Sequence, residues 1–416
     1  MKKLTTLALA AGLIVAAAAP ASAIDTKIDG QYLFTFMRED INYTEQGSDV
    51  EFAKQRIRLG LTFTASENLS GYVQFQSAEN FGQYHNAVET NTGVRQAYVD
   101  WMIPGTPVKV RMGKVQFGQP AHAFGQNLAM GPAQSRSAVI VSAPVADWMN
   151  VNAFWQRYDI ADKTTDYADV SAGSKDAFGV NATMKFDGLT ITPWAMYAAD
   201  SATNQETYWA EATAALTMFD PLTVKATVGG AYSNVKGEED IYAWHAMALA
   251  SYKMSFGTPV FGFWYGDGAD KGEAVAKRQM PKVGGGKFAP SFGFYSATYG
   301  LDDSRTGLAN GTSGTWGLKL GIENVSFLNG LTHNFAVVMA KGTNHDNAVA
   351  DGSAPYGNMT WSDTMYDFNF ESTYQIYKNL AANLQLAYIL NDADEDKHAG
   401  FDEDGWRAAL TFQYKF

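Results

Sequence analysis

The stretch W-R-A-A-L-T-F-Q-Y-K-F, residues 406–416, decides the fold of this chain. Its even-numbered positions are apolar, and its odd-numbered positions are polar apart from Ala409, which is a period of two. This alternation places the apolar side chains on one face of a β-strand. It continues to an aromatic residue, Phe416, where a soluble domain usually has a frayed, polar end. The segment is typical of a membrane-barrel strand with interfacial aromatics and an inner polar face.

The other end of the chain has the pattern of a secretory signal peptide. Lys2 and Lys3 precede an apolar run over residues 4–19, and Ala21-Ser22-Ala23 fits a small-residue cleavage site. We therefore expect residues 1–23 to be removed on export and residues 24–416 to form one barrel domain. Beyond residue 23, no apolar run approaches the roughly 20 residues that a membrane helix needs.

Composition excludes several functional classes. The chain has no cysteine, so a disulfide framework, a thiolate zinc site and a thiol nucleophile are excluded. Its formal net charge of −12 argues against binding nucleic acid, which requires a basic face. No H-E-x-x-H, G-x-S-x-G or P-loop motif occurs, so we predict no enzyme, no cofactor and no metal site.

Alternating segments recur along the whole chain and predict an all-β, transmembrane antiparallel β-barrel. Short turns such as Asp187-Gly188 alternate with longer polar loops, which is the asymmetry of outer-membrane barrels. Strand direction gives about eighteen strands if 137–158 contributes two strands, and sixteen if it belongs to an inserted loop; we prefer eighteen. The stretch 268–314 then becomes one long outer loop, with a hairpin of its own near 288–299.

The chain resembles the outer-membrane homotrimeric porins of sulfate-reducing bacteria and, more broadly, the general trimeric porins. The resemblance rests on the leader, the start I-D-T-K-I-D-G-Q-Y at 24–32, the alternating body and terminal Phe416. It implies a homotrimer in the bacterial outer membrane that lets small hydrophilic solutes and ions diffuse passively. It further implies that Phe416 is read by the barrel-assembly machinery, and that a constriction loop, here 118–136, folds into the lumen.

Basic side chains on the polar face of predicted strands are candidates for an ion-selective site, because such rows attract anions. The candidates are Lys54, Arg56, Arg58, Lys109 and Arg111. The alternative is that they pair with wall carboxylates such as Asp29 or Asp100 and are only structural.

The expected constriction loop carries no Asp or Glu, unlike its counterpart in related porins. It offers His122, Gln126, Asn127 and Arg136, which favours a locally basic constriction and an anion preference. The acid-rich segment 391–404 partly matches a calcium loop, but Lys397 stands where that motif needs glycine. We interpret it as a solvated loop, with a bridging divalent ion as the alternative.

Two other classes of protein remain as alternatives. An exported soluble β-protein, such as a carbohydrate-binding module or glycosidase, would not need detergent. An adhesion or envelope-anchoring barrel would have a closed or plugged lumen.

Overall fold

The computed structural model describes residues 24–41, 49–80, 93–130, 135–160, 174–283, 288–294, 313–355, 357–401 and 403–416. The expected signal peptide, residues 1–23, lies outside these ranges. The described residues form eighteen β-strands and two short 3₁₀ helices, Val275–Arg278 and Asp346–Ala348. Within them, no helix combines the length and the apolar character needed to cross a membrane.

The strands follow one another in chain order. They are β1 Asp25–Asp40, β2 Asp49–Ser66, β3 Leu69–Asn80, β4 Gly93–Met102, β5 Lys109–Gln116, β6 Ser135–Ala146, β7 Met149–Ile160, β8 Ser174–Phe186, β9 Leu189–Asp200, β10 Gln205–Phe219, β11 Leu222–Val235, β12 Ile241–Tyr252, β13 Thr258–Gly266, β14 Thr315–Leu328, β15 Leu331–Gly342, β16 Thr364–Tyr377, β17 Leu380–Asp392 and β18 Gly405–Lys415.

The sheet closes on itself. Each strand pairs antiparallel with the next, and β1 pairs with β18 from Gln31↔Lys415 to Asp40↔Trp406. Closure leaves no unpaired edge, as a barrel in lipid requires. The prediction of eighteen strands is confirmed, and the sixteen-strand alternative is wrong, because 135–160 forms the paired strands β6 and β7 within the sheet.

Exposure alternates along the strands in the sense that the sequence predicted. In β1, Leu33 and Thr35 are fully buried, whereas Phe36 is exposed. In β2, Ile57 and Leu59 are exposed on the outer face, and Arg56, which precedes them, points inward and is buried. The outer face is therefore apolar and the interior carries the polar residues, the reverse of a soluble barrel.

The buried apolar cluster lies inside the barrel. It joins the inner faces of β5–β10, β12, β13 and β15–β17 to residues from connecting segments, among them Leu128, Met130, Phe288 and Phe294. Outward-facing strand side chains do not reach the interior of the barrel. Side chains on the connecting segments therefore fill part of it.

Two predicted boundaries need correction. The connection between β5 and β6 begins at residue 117 and ends before β6, so Arg136 belongs to β6 rather than to the loop. The hairpin expected near 288–299 is not seen in its described part, since 288–294 contain no strand, and 295–299 lie outside the described residues.

Candidate functional site

The segment between β5 and β6 folds into the barrel; we call residues 117–130 the first inward loop. The Ala123 N–H donates to Thr227 Oγ1 on β11 at 2.8 Å. The Tyr158 hydroxyl on β7 donates to Met130 Sδ at 3.1 Å. These contacts place the loop across the inner face of the wall from β7 to β11.

Side chains of the loop hold its own conformation. Asn127 is buried, and its Oδ1 accepts the N–H groups of Ala129 and Met130 at 3.0 and 2.8 Å. His122 is also buried, and its Nδ1 accepts the Phe124 N–H at 3.1 Å. Two of the four residues expected at a constriction are thus packed inside the loop, which sequence reasoning missed.

A second segment, between β13 and β14, also turns inward; we call its described parts 267–283 and 288–294 the second inward loop. The Trp209 indole on β10 donates to the Pro281 carbonyl at 2.9 Å. Farther along, the N–H groups of Phe292 and Gly293 donate to Asn369 Oδ1 on β16 at 3.0 and 3.1 Å. The strand pattern of the sequence predicted a long outer loop here, outside the barrel, and this prediction is wrong for the described residues. The aromatic run F-A-P-S-F-G-F at 288–294 was the available signal, because such a run favours burial.

An aromatic hub joins both loops to the wall. Phe124 of the first loop meets Phe288 of the second at 5.4 Å between ring centroids, and Trp264 of β13 lies 5.2 Å from Phe288. Gly262 makes room for the Phe124 ring, because a Cβ there would lie 2.9 Å from its Cζ. The Ala289 N–H also donates to Gln126 Oε1 at 2.7 Å. The two loops are therefore packed as one unit.

Arginines on β2 and β4 bond to neutral amides on the inner wall. Arg56 donates to Gln31 Oε1 at 3.1 Å, and Arg58 donates to Gln76 Oε1 at 2.8 Å. Arg95 donates to the Oε1 atoms of Gln74 and Gln116 at 3.0 and 2.6 Å. Lys54 lies on the same face of β2.

Arg95 was missed by parity reasoning. A β-bulge between Gln74 and Phe75 shifts the β3–β4 register, so that Arg95 joins Gln96 on the inner side. A bulge of this kind leaves no reliable mark in the sequence.

Lys109 and Arg111 have a carboxylate partner. Arg111 makes two bonds of 2.6 Å to Asp100, and Lys109 lies 3.8 Å from the same carboxylate. Arg111 also lies over the Tyr98 ring, 4.1 Å from its centroid. These two bases therefore make the carboxylate contact that the alternative expects, and Asp100 partly neutralises their charge.

Among the described residues, chambers of two sizes lie beside the inward loops. The larger has a volume of about 620 Å³, and Arg136, Lys175, Lys282 and Asp200 are among its lining residues. Lys175 pairs with Asp200 at 2.8 Å. The surrounding protein lowers the pKa of Lys282 to about 8 by desolvation, although its side chain still reaches the water of the chamber.

The smaller chamber, about 230 Å³, is acidic. Glu323 and Glu371 line it together with Lys319, Gln126 and several amides. Glu371 accepts from Asn383 at 2.7 Å, and Lys319 lies 3.7 Å from Glu323. Acids on β14 and β16 thus supply the negative side of the interior that the first inward loop lacks.

Pairs of ionisable side chains are buried where the loops cover the wall. Glu211 and His245 meet at 2.9 Å, and the Trp194 indole donates to the same carboxylate at 3.0 Å. Glu39 of β1 and Arg407 of β18 meet at 3.0 Å, both with no exposed side-chain surface.

In the part of the chain that the structure describes, no three His, Cys, Asp or Glu side chains are placed to hold a metal ion. Within the acid-rich segment, Asp394 Oδ1 instead accepts the Asp396 N–H at 3.0 Å, which closes a turn.

The fold is similar to solved outer-membrane channels of Pseudomonas aeruginosa. OccK2 (OpdF) matches with a TM-score of 0.62 at 12% identity, covering 94% of this chain and 98% of that one. OccK11 (OpdR) matches with a TM-score of 0.60 at 11% identity, covering 94% and 96%. The outer membrane protein OpdK matches with a TM-score of 0.59 at 12% identity, covering 94% and 98%. No family model and no curated protein sequence matches the chain.

Proposed function

We propose that this protein is a bacterial outer-membrane channel for passive diffusion of small hydrophilic solutes and ions. The observation that carries the proposal is a closed eighteen-strand barrel with an apolar outer face, a charged interior and two inward loops. The similarity of this fold to outer-membrane channels supports the same function and location. Nothing in this mechanism needs an energy source or a cofactor, since solutes follow their own gradient.

The interior supports a preference for anions. Arg58 and Arg95 bond to amides, and within the described residues neither has a carboxylate partner, so their charge acts on the lumen. Arg56 extends the same row. Glu323 and Glu371 act in the opposite sense on another part of the wall. A passing anion would follow the arginine row, because selectivity is decided where an ion cannot keep its distance from the wall.

The preferred solutes are proposed to be small carboxylates. OccK2 has been solved with glucuronate and OpdK with vanillate. Guanidinium groups bind carboxylates through two parallel hydrogen bonds, so a row of arginines on rigid strands suits such solutes.

A reversal potential across a potassium chloride gradient tests this function. We expect an anion-selective wild type whose chloride preference falls in the double variant Arg56→Ala with Arg58→Ala. Lys114→Ala is the matched control, since Lys114 lies exposed at the outer end of β5 and donates to the Val94 carbonyl. Cation selectivity would show that Glu323 and Glu371 control the pore. Absence of conductance would favour an anchoring barrel with a plugged lumen.

Assembly belongs to the same proposal. The chain would be exported with cleavage after Ala23, inserted by the barrel-assembly machinery through its Phe416-ended strand, and assembled as a homotrimer. Mass spectrometry of the purified protein tests the cleavage, and light scattering in detergent tests the trimer. A monomer with the same conductance would refute the proposed trimer and leave the proposed channel function unaffected.

A further inference from the structure

Two loops at the long-loop end of the barrel pack against each other; we call them the outer cap. They are residues 343–355 with 357–363, between β15 and β16, and the described residues of 393–404, between β17 and β18. A buried pair joins them, with His398 Nε2 at 2.9 Å from Asp363 Oδ2 and neither side chain exposed. His398 Nδ1 lies 2.6 Å from the Ser353 carbonyl oxygen.

The geometry selects one protonation state of His398. A carbonyl oxygen and an ionised carboxylate are both acceptors, so both ring nitrogens must donate, and only the imidazolium has two N–H groups. Loss of the proton turns one of these hydrogen bonds into a contact between two acceptors in a buried site, which is unfavourable.

The neighbouring carboxylates of Asp363 and Asp394 also favour the protonated form of His398. Asp363 also accepts the N–H groups of Thr360 and Asp394, and Lys397 pairs with Asp351 at the edge of the cap. Burial by itself lowers the pKa of His398, but its bonds to Asp363 and Ser353 and the nearby carboxylates outweigh burial and raise it above 6.5. Burial raises the pKa of Asp363, and the bond to His398 with the two N–H donors outweighs it and lowers the pKa below 3.8.

The cap contacts the second inward loop. Asn344 Oδ1 accepts the Ala269 N–H at 2.9 Å, and the His345 N–H donates to the Ala269 carbonyl at 2.8 Å. Ala269, Val275 and Val349 form a small buried apolar cluster across this contact. The same loop continues to Pro281, against the barrel wall. A continuous packed path therefore runs from His398 to the interior.

We propose that His398 and Asp363 form a pH-sensitive latch, which holds the outer cap on the second inward loop while His398 is protonated and releases it at alkaline pH. Protonated His398 stabilises the closed cap fully below about pH 6.5, and this stabilisation is lost as the pH rises through the raised pKa of His398. In that pH interval the ratio of molecules with a closed outer cap to molecules with an open one falls by up to about tenfold per pH unit. Ionised Asp363 also stabilises the closed cap, and this stabilisation is lost only in acid, as the pH falls from 3.8 through the lowered pKa of Asp363.

Cysteine labelling tests the opening directly, because the chain has no native cysteine. Ala393→Cys places a thiol at a buried position in the cap, and Ala350→Cys places one at an exposed position of the same cap. The ratio of their labelling rates cancels the ordinary effect of pH on thiols. We expect this ratio to rise at least severalfold between pH 6 and pH 9, and a constant ratio would overturn the latch.

Substitution of His398 separates a latch from a merely structural contact. His398→Gln should remove the pH dependence of the ratio, whereas His345→Gln, on a neighbouring histidine that stacks on Trp361, should retain it. A pH-dependent rise that persists in His398→Gln would refute the proposal. If that variant fails to fold, an NMR titration of His398 in the wild-type protein tests the latch instead. A pKa of His398 at or below 6.5 would refute it.

The effect on the pore rests on the proposed channel function. Conductance should differ between pH 6 and pH 9 in a Lys282→Met background, which removes a lysine of the larger chamber whose pKa is lowered to about 8. His398→Gln in that background should abolish the difference. Equal conductance at the two pH values, with labelling that changes, would refute the coupling to the pore and retain cap opening. Absence of conductance at both values would refute the channel function instead.

Discussion

The ion pair between Glu39 and Arg407 offers the sharpest test of how the barrel closes. These residues face each other in the register of β1 and β18, the two ends of the barrel domain, and their charged atoms are 3.0 Å apart. Arg407 also donates to the Phe292 carbonyl of the second inward loop at 3.3 Å. The substitution Arg407→Met removes the cation and keeps most of the apolar volume.

The structure sets the expected magnitude. At 3.0 Å the Coulomb attraction is about 5–6 kcal/mol for an effective dielectric constant of about 20, and the desolvation of both groups offsets much of it. Removing one partner leaves the other charge buried, which costs about 3–5 kcal/mol. We expect Arg407→Met to lower the free energy of unfolding by that amount. The double variant Glu39→Gln with Arg407→Met should lose much less, because residue 39 then carries no charge that the guanidinium must balance.

Urea unfolding in lipid vesicles, followed by tryptophan fluorescence, measures these differences. Lys175→Met is the matched control, because the Lys175–Asp200 pair has a similar distance, 2.8 Å, but Lys175 is 51% exposed. That pair should contribute about 0–1 kcal/mol. The reasoning is refuted if Arg407→Met stays within about 1 kcal/mol of the wild type, or if the double variant is no more stable than the single one.

Three further predictions follow from the barrel geometry. Leu59→Arg, on the outer face, should cost about 2–4 kcal/mol in vesicles, and Thr62→Arg, on the inner face of the same strand, should cost far less; equal costs would contradict the face assignment. Phe124→Ala should loosen the aromatic hub and increase single-channel conductance, so an unchanged conductance would show that the hub does not shape the passage. Deleting Phe416 removes its two hydrogen bonds to Gly30, of 2.9 and 3.1 Å, and should reduce the heat-modifiable barrel in membrane fractions; normal amounts would exclude a role in assembly.

The positions of the strands and the side chains that face outward were predictable, because both depend only on residues that are adjacent in the sequence. The period-two alternation of 57–63 and 406–416 predicted which side chains face outward, and strand direction favoured eighteen strands. The five basic candidates were also found by parity. Asp100 was expected as a partner only in the alternative interpretation, and Gln31 and Gln76 were not expected, because contacts between strands depend on the register between those strands.

The interior was predicted less well. Parity placed Thr411 on the inner face, but the structure shows it buried and bonded to Thr35 at 2.9 Å rather than facing water. Arg95 reaches the interior only through a bulge, and His122 and Asn127 are buried by packing of the loop that contains them. Long-range contacts of this kind connect residues far apart in the chain, so no local pattern records them.

The sequence by itself determined the class of fold, because lipid and water impose opposite requirements on the two faces of each strand, and alternation meets both along the chain. Only the tertiary structure decided what fills the barrel. Three features each bring together segments far apart in sequence: the inward path of 267–283 and 288–294, the pair of Glu39 with Arg407, and the pair of His398 with Asp363. Their free energy comes from burial and hydrogen bonding that exist only after the sheet has closed and excluded water from those contacts.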